Sequence, residues 1–327
     1  MITRRKVIIA FGAGALAPFT SYAQPQPGKI SRIGFLASES PAVSASRVEA
    51  LRAGLRGLGY VEGKNIVIEF RWADGNYARL PDLVAELVRL KVDVLVTDGT
   101  KASTAANHVA TTVPIVAGSF GDPVASGIVT NLARPGGNIT GFATFAPEIM
   151  AKRLELLKEM LPRIRRVAVL LNPENPSKGP VLRAMGKTAK SLKVGLQPVE
   201  ARNPNEIEST FSTISGKRVD AIVIENETLF SANDKRIVEL AATKRIPSAG
   251  RPEFAEAGGL IGYGANNVEM FRRAATYVDK ILKGAKPGDI PIEQPTTFEF
   301  VLNMKTAKAL GIKFPQSILV QATKVIK

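Results

Sequence analysis

The chain has 327 residues, a formal charge of +15, 45% hydrophobic residues, no cysteine and one histidine. Without cysteine there is no disulfide framework and no thiol chemistry, and a lone histidine, His108, excludes a multi-histidine metal site and His-dependent catalysis. The Lys and Arg residues are dispersed along helical patterns without interleaved aromatics, so they read as solvated helix faces that can draw in anionic solutes, and no nucleic-acid partner is expected.

The chain opens on a basic start, Arg4-Arg5-Lys6, followed by an apolar run over 7–19 and the small-x-small site Ser21-Tyr22-Ala23. This order is that of a secretory signal cleaved near Ala23, and the run falls short of the ~20 residues that span a bilayer. Thr3-Arg4-Arg5-Lys6-Val7-Ile8 resembles a twin-arginine motif, while a plain basic start serves the general export route equally well, so both routes stay open. Either way a soluble mature chain is expected outside the cytoplasm. No cysteine at the cleavage site is present for lipid anchoring.

About 300 mature residues exceed what one core supports, so two lobes are expected. After a linker at 24–29, β-branched runs alternate with amphipathic stretches, which predicts parallel strands joined by crossover helices. The first series has strands at 32–36, 65–71, 92–97, 114–117 and 138–142 and helices at 44–58, 80–90 and 100–110. The second starts with a helix at 148–161. Its strands are at 166–172, 196–201, 220–224 and 246–249, with helices at 178–192, 205–215 and 233–244. A Gly-rich stretch at 258–264 leads to a helix at 268–283, a turn at 284–288, a strand at 297–302 and a helix at 305–310. The fold class is α/β, two doubly wound parallel-sheet lobes joined by a hinge. Lobe 1 is predicted as 30–145 plus 259–287, and lobe 2 as 146–258 plus 288–327. Three crossings between lobes make a cleft suited to a small solute.

The stretch Gly54-Leu55 to Leu58-Gly59-Tyr60 with Gly63 and Asn65, together with Gly121-Asp122-Pro123-Val124 and Arg134-Pro135-Gly136-Gly137-Asn138-Ile139-Thr140-Gly141, resembles the substrate-binding proteins of ABC importers of the tryptophan/tyrosine-transport type. The tail is similar too, in Ile281-Leu282-Lys283-Gly284-Ala285-Lys286-Pro287, in Pro291 and Glu293-Gln294-Pro295-Thr296, and in Asn303 with Lys305 to Gly311. The resemblance runs from about Ile30 to the end. It implies a type I periplasmic-binding fold, a periplasmic monomer, a solute held between lobes, and a partner permease in the inner membrane with its cytoplasmic ATPase. Catalysis, cofactors and metals are not implied.

Ligands in open α/β sheets sit beyond the carboxyl ends of the strands, which selects the loops there. Asp98-Gly99-Thr100-Lys101-Ala102-Ser103 opens a helix, where free N–H groups and the Thr100 and Ser103 hydroxyls can receive a carboxylate; capping by Asp98 or Thr100 is the competing reading. Ser119 and Phe120 are placed to face the cleft, whereas Asp122 before Pro123 suits an N-cap. Phe142 and Thr144 end a strand near a crossing, where a ring can stack on a planar ligand or pack the lobe. From the second lobe come Asn175 and the pair Glu225-Asn226, where the family often carries Asp-Asn, an arrangement suited to an ammonium or hydroxyl. Glu225 departs from that pattern. Tyr263 can close one wall or serve the hinge, and Ser38 has a similar standing. Trp72 is expected at a lobe edge.

The leading expectation is a periplasmic solute receptor for an amino acid or aromatic or other carboxylate. A periplasmic sensor is one alternative. A two-lobed α/β enzyme is the other, resting only on carboxylates such as Asp122 and Glu225, since no dinucleotide, Walker, nucleophile-elbow or zincin motif occurs.

Overall fold

A computed structural model describes residues 30–327 apart from Lys217; the predicted signal and linker, 1–29, lie outside the described residues. In chain order the first lobe contains β1 (Ser31–Ala37), α1 (Pro41–Gly57), β2 (Ile66–Trp72), α2 (Leu80–Arg89), β3 (Val94–Asp98), α3 (Thr100–Val109), β4 (Ile115–Phe120) and β5 (Ile139–Ala143). The chain continues with α4 (Ala146–Met160), β6 (Arg166–Leu171), α5 (Lys178–Leu192), β7 (Gly195–Glu200), α6 (Pro204–Gly216) and β8 (Ala221–Ile224). Then come α7 (Thr228–Ala232), α8 (Asp234–Thr243), β9 (Ser248–Gly250), α9 (Pro252–Glu256), β10 (Ile261–Ala265) and α10 (Asn267–Leu282). The chain ends with β11 (Phe298–Asn303), α11 (Met304–Leu310), α12 (Gln316–Gln321) and β12 (Lys324–Ile326).

Two sheets form. The first has the order β2-β1-β3-β4-β5, all parallel; the second has the order β12-β11-β10-β9-β8-β6-β7, with β11 antiparallel to β10. Central strands are buried on both faces, as helices on both sides of a parallel sheet require: β8 is apolar throughout, and β3 opens on Val94-Leu95-Val96 before Thr97 and Asp98 at its carboxyl end. In the first lobe, Phe35, Phe142 and Phe271 fill the layer between the sheet and the helices α1 and α10, while Leu83, Leu87, Ala102 and Ala106 fill the opposite layer. In the second, Met150, Leu154 and Met185 lie under one face and Phe211, Phe230 and Ile237 under the other. Helices α1 and α10 approach so closely at Gly54 that a Cβ there would lie 2.3 Å from the Arg272 carbonyl oxygen.

The predicted division of the chain differs from the sheet pairing at two places. The stretch assigned to lobe 1 from 259 includes β10, which pairs with β9 and β11 in the second sheet. Its glycines disguise the strand: α9 lies directly on it, and a Cβ at Gly262 would sit 2.5 Å from the Arg251 carbonyl oxygen. At the other end, residues 288–293 stay with lobe 1, where Glu293 N donates to Gly141 O at 2.9 Å and Ala143 N to Glu293 O at 2.9 Å. The three crossings therefore fall at 143–146, 265–267 and 293–298. They return α10 and the stretch through Glu293 to the first lobe after a long excursion through the second.

Each sheet reverses its strand order once, between β1 and β3 in the first and between β6 and β8 in the second. The loops that leave these strands at their carboxyl ends carry Ser38 to Ser40 and Asp98 to Thr100 on one lobe, and Asn172 to Ser177 and Glu225 to Thr228 on the other. Such switch points open a crevice in a doubly wound sheet. Here two crevices face each other.

Candidate functional site

The facing loops enclose a cavity of about 100 Å³ between the lobes. Of the predicted residues, Thr100, Ser119, Phe120, Thr144, Asn175 and Asn226 line it. The lobes touch around it: Lys101 Nζ donates to Glu174 O at 2.7 Å, the Tyr77 hydroxyl bonds Glu227, and the Ser231 hydroxyl bonds Glu39. The structure is thus the closed arrangement.

On the first lobe α3 begins at Gly99, whose φ of +95° only glycine adopts without strain. No side chain among the described residues caps this helix, and Ser103 N is the first amide to reach back to Gly99 O, so the amides of Thr100, Lys101 and Ala102 precede the helical ladder. These donors and the helix dipole make a place for an anionic group. Thr100 Oγ1 accepts from Gly121 N at 2.9 Å, tying the loop after β3 to the loop after β4. The capping predicted for Asp98 is not what forms. Asp98 instead accepts from Arg47 Nη1 at 2.9 Å and Ser44 Oγ at 3.1 Å, and burial pushes its carboxyl up to about 6 despite the Arg47 charge.

Opposite Thr100 stands Ser177, 2% exposed, whose hydroxyl has no hydrogen-bond partner among the described residues. A buried hydroxyl left unpaired costs free energy unless something bonds it, which makes it a natural contact for a bound molecule. Asn175 accepts from Ser177 N at 3.0 Å through Oδ1 and donates to Glu225 through Nδ2 at 3.0 Å, so it shapes the loop that carries Ser177.

The other predicted residues stand away from the cavity, each for a visible reason. Glu225 is 3% exposed and its carboxyl is occupied by Asn172 N at 2.9 Å and Asn175 Nδ2; burial raises its pKa well above the ordinary value. It builds the loop and does not line the cavity. Ser103 pairs with Thr97 Oγ1 at 2.8 Å and donates to Gly99 O at 3.0 Å inside the lobe. Asp122 accepts from Val124 N and Ala125 N at 3.1 and 2.9 Å and so closes a turn; no helix follows it among the described residues, so the predicted N-cap does not form. Phe142 packs against Tyr277 with centroids 5.0 Å apart, and Tyr263 stacks on Phe298 at 5.8 Å, so neither ring faces the cavity. Ser38 is fully buried behind Gly99. Trp72 stacks on Phe70 at the edge strand β2, as expected.

One side of the site has no signal in sequence spacing. Glu39 and Arg47 from the first lobe pair with each other, and Arg251 from the second holds Asp234 through two bonds of 2.9 and 2.6 Å. Burial opposes the charge on Glu39, but the Arg47 and Arg251 guanidiniums outweigh it and hold its pKa below the usual range. Glu253, Lys101, Glu227, Thr228, Ser231 and Asn267 complete the wall. The cavity is therefore polar, with Phe120 the one large apolar side chain that lines it among the described residues. It can hydrogen-bond an acceptor at the α3 start and a donor near Glu39 and Glu253.

Comparison with known proteins agrees with this geometry. Residues 36–326 match the family described as ABC transporter substrate binding protein. A curated relative, the tyrosine-binding protein of Clostridioides difficile, is 24% identical over 276 residues, 84% of this chain and 79% of the relative. A conserved domain protein from Vibrio cholerae superposes with a TM-score of 0.86 at 27% identity, covering 91% of this chain and all of that one. A Streptococcus pneumoniae ABC domain in complex with L-Trp superposes with a TM-score of 0.83 at 25% identity, covering 90% of this chain and all of that one. The lobes are those of a type I periplasmic-binding fold, and the chain belongs to the ABC transporter substrate-binding protein family.

Proposed function

We propose that the chain is a periplasmic receptor that captures a small organic carboxylate, an amino acid or an aromatic acid, between its lobes. The closed form then docks on an inner-membrane permease served by a cytoplasmic ATPase. It works as a freely diffusing monomer after loss of residues 1–23, and it performs no chemistry on its solute. The observation that carries this reading is the uncapped start of α3 with Thr100 on one lobe, set against the buried, unpaired Ser177 hydroxyl on the other. A carboxylate held at that point contacts both lobes, so its binding energy is realised in full only on closure. The ligands of two relatives, tyrosine and L-Trp, support the same solute class.

The test uses the chain from Gln24 onward in a thermal-shift screen against aromatic, branched and hydroxylated carboxylates, L-tryptophan and L-tyrosine included. A ligand at a hundred times its Kd adds about 2.7 kcal/mol to the folded state. Calorimetry with Thr100→Val and Ser177→Ala then locates the site, each expected to weaken binding at least tenfold. A panel without a stabilising compound, or unchanged affinity in both variants, overturns the reading. Recovery of the solute in altered form supports an enzyme instead.

A further inference from the structure

Arg153 is fully buried in α4, directly after the first crossing, and forms no ion pair among the described residues. Its guanidinium is spent on neutral acceptors. Nε donates to Tyr263 O at 2.8 Å, Nη1 to Ile224 O at 2.8 Å, and Nη2 to Asn226 Oδ1 at 2.6 Å. The first two acceptors are backbone atoms of β10 and β8, so the fork is clamped to two strands and cannot turn. Asn226 is the residue that lines the cavity.

We propose that Arg153 is a positioning residue that locks the Asn226 amide with its carbonyl turned back toward α4 and its NH2 turned toward the cleft, so that this wall takes a hydrogen-bond acceptor from the solute. The chemistry leaves one orientation. A guanidinium has five N–H donors and no acceptor, and a reversed amide would set NH2 against N–H at 2.6 Å. Burial, together with the Arg251 charge, lowers the Arg153 pKa to about 9, which still leaves it protonated at neutral pH and donating. The Asn226 Nδ2 atom makes no hydrogen bond within the described residues, so its two protons are free for a ligand. This reverses the role that the loop's resemblance implies for the pair Glu225-Asn226: an ammonium is repelled here and a carboxylate, carbonyl or hydroxyl oxygen is accepted. An ammonium on the same solute is directed to the side where Glu39 and Glu253 line the cavity.

The inference rests on the reading that the cleft holds a solute, and two experiments separate the two claims. The first is ligand-free: thermal midpoints of the unsubstituted protein, Asn226→Asp, Arg153→Met and the double variant. Asn226→Asp gives the guanidinium a counter-charge, so it keeps or raises the midpoint while Arg153 is present and lowers it in the Arg153→Met background. An equal change in both backgrounds overturns the lock. If Arg153→Met does not fold, Arg153→Lys takes its place, since it loses the fork geometry but keeps a charge. The second is binding of L-tryptophan and L-tyrosine by calorimetry. Asn226→Asp, nearly the same shape but an acceptor, weakens a probe that binds the unsubstituted protein at least tenfold; equal or tighter binding overturns the proposal. If neither probe binds the unsubstituted protein, the receptor reading is weakened, and the ligand-free cycle still decides the orientation.

Discussion

The hydroxyls of Thr100 and Ser177 belong to opposite lobes and converge on one point. A Cβ added to Gly121 would lie 3.2 Å from the first and 2.9 Å from the second. The lobe boundary at the candidate carboxylate position is therefore as tight as a missing methyl group allows. Closure depends on that vacancy.

Gly121→Ala is accordingly expected to hold the lobes apart while leaving each lobe folded. Its φ is not in the left-handed region, so the backbone accepts alanine and only the contact across the cleft is strained. Solute affinity should fall at least tenfold, about 1.4 kcal/mol. Small-angle scattering should show a ligand-free and a ligand-saturated protein of equal, enlarged radius. A normal contraction on ligand addition would refute the contact.

Tyr77→Phe tests the second tie between lobes. The Tyr77 hydroxyl bonds Glu227, whose carboxyl burial already drives above its usual pKa. Hydrogen bonds to charged groups contribute about 1.5–3 kcal/mol, so losing this one should move a closed ligand-free population toward the open form. The expected outcome is a larger radius without ligand and affinity weakened about tenfold. The contrast with Gly121→Ala is that saturating ligand still closes this variant.

The alternation of strand and helix makes both lobes legible, because parallel sheets covered by helices need apolar runs of strand length separated by amphipathic ones. β10 is not legible as a strand: Gly262 and Gly264 answer to α9 lying on them, a tertiary demand that breaks the local pattern. Thr100 and Asn226 are within reach of the sequence because each lies in a loop at the carboxyl end of a strand. Arg47 with Asp98, 51 positions apart, and Glu39 with Ser231, 192 apart, are not: the folding of the first lobe brings the first pair together, and the facing of two switch points brings together the second. Glu225 is the opposite case. A charged residue in the right loop looks like a ligand contact, and its burial reveals that the loop itself consumes both oxygens.

Glu225→Ala should therefore act on stability first. It leaves Asn172 N and Asn175 Nδ2 without their acceptor, and an orphaned buried donor costs about 1–3 kcal/mol. Urea unfolding should show a loss on the order of 2–4 kcal/mol for the two together, with Glu225→Gln losing less because one oxygen remains. An unchanged midpoint in Glu225→Ala would mean the loop does not lean on this carboxyl.

Burial raises Asp98 and Asp234 from an ordinary carboxyl value of 3.8 to about 6, each against the pull of an arginine. Between roughly pH 4 and 6 the folded protein holds protons that the unfolded chain has released, so stability falls as pH rises through this window. From pH 5 to pH 7.5 the loss should be about 1 kcal/mol for each group. Glu225 and Glu227, also raised, act in the same direction, while Glu39, held low by Arg47 and Arg251, contributes a loss only at more acidic pH. The urea midpoint should consequently be higher at pH 5 than at pH 7.5. Asp98→Asn removes one titrating group without removing the side chain, and should flatten the profile in part, leaving the slope that Asp234, Glu225 and Glu227 contribute. A midpoint that rises with pH across this range, or a slope untouched by Asp98→Asn, would show that the buried carboxylates are ionised at no cost, with the two guanidiniums fully compensating their burial.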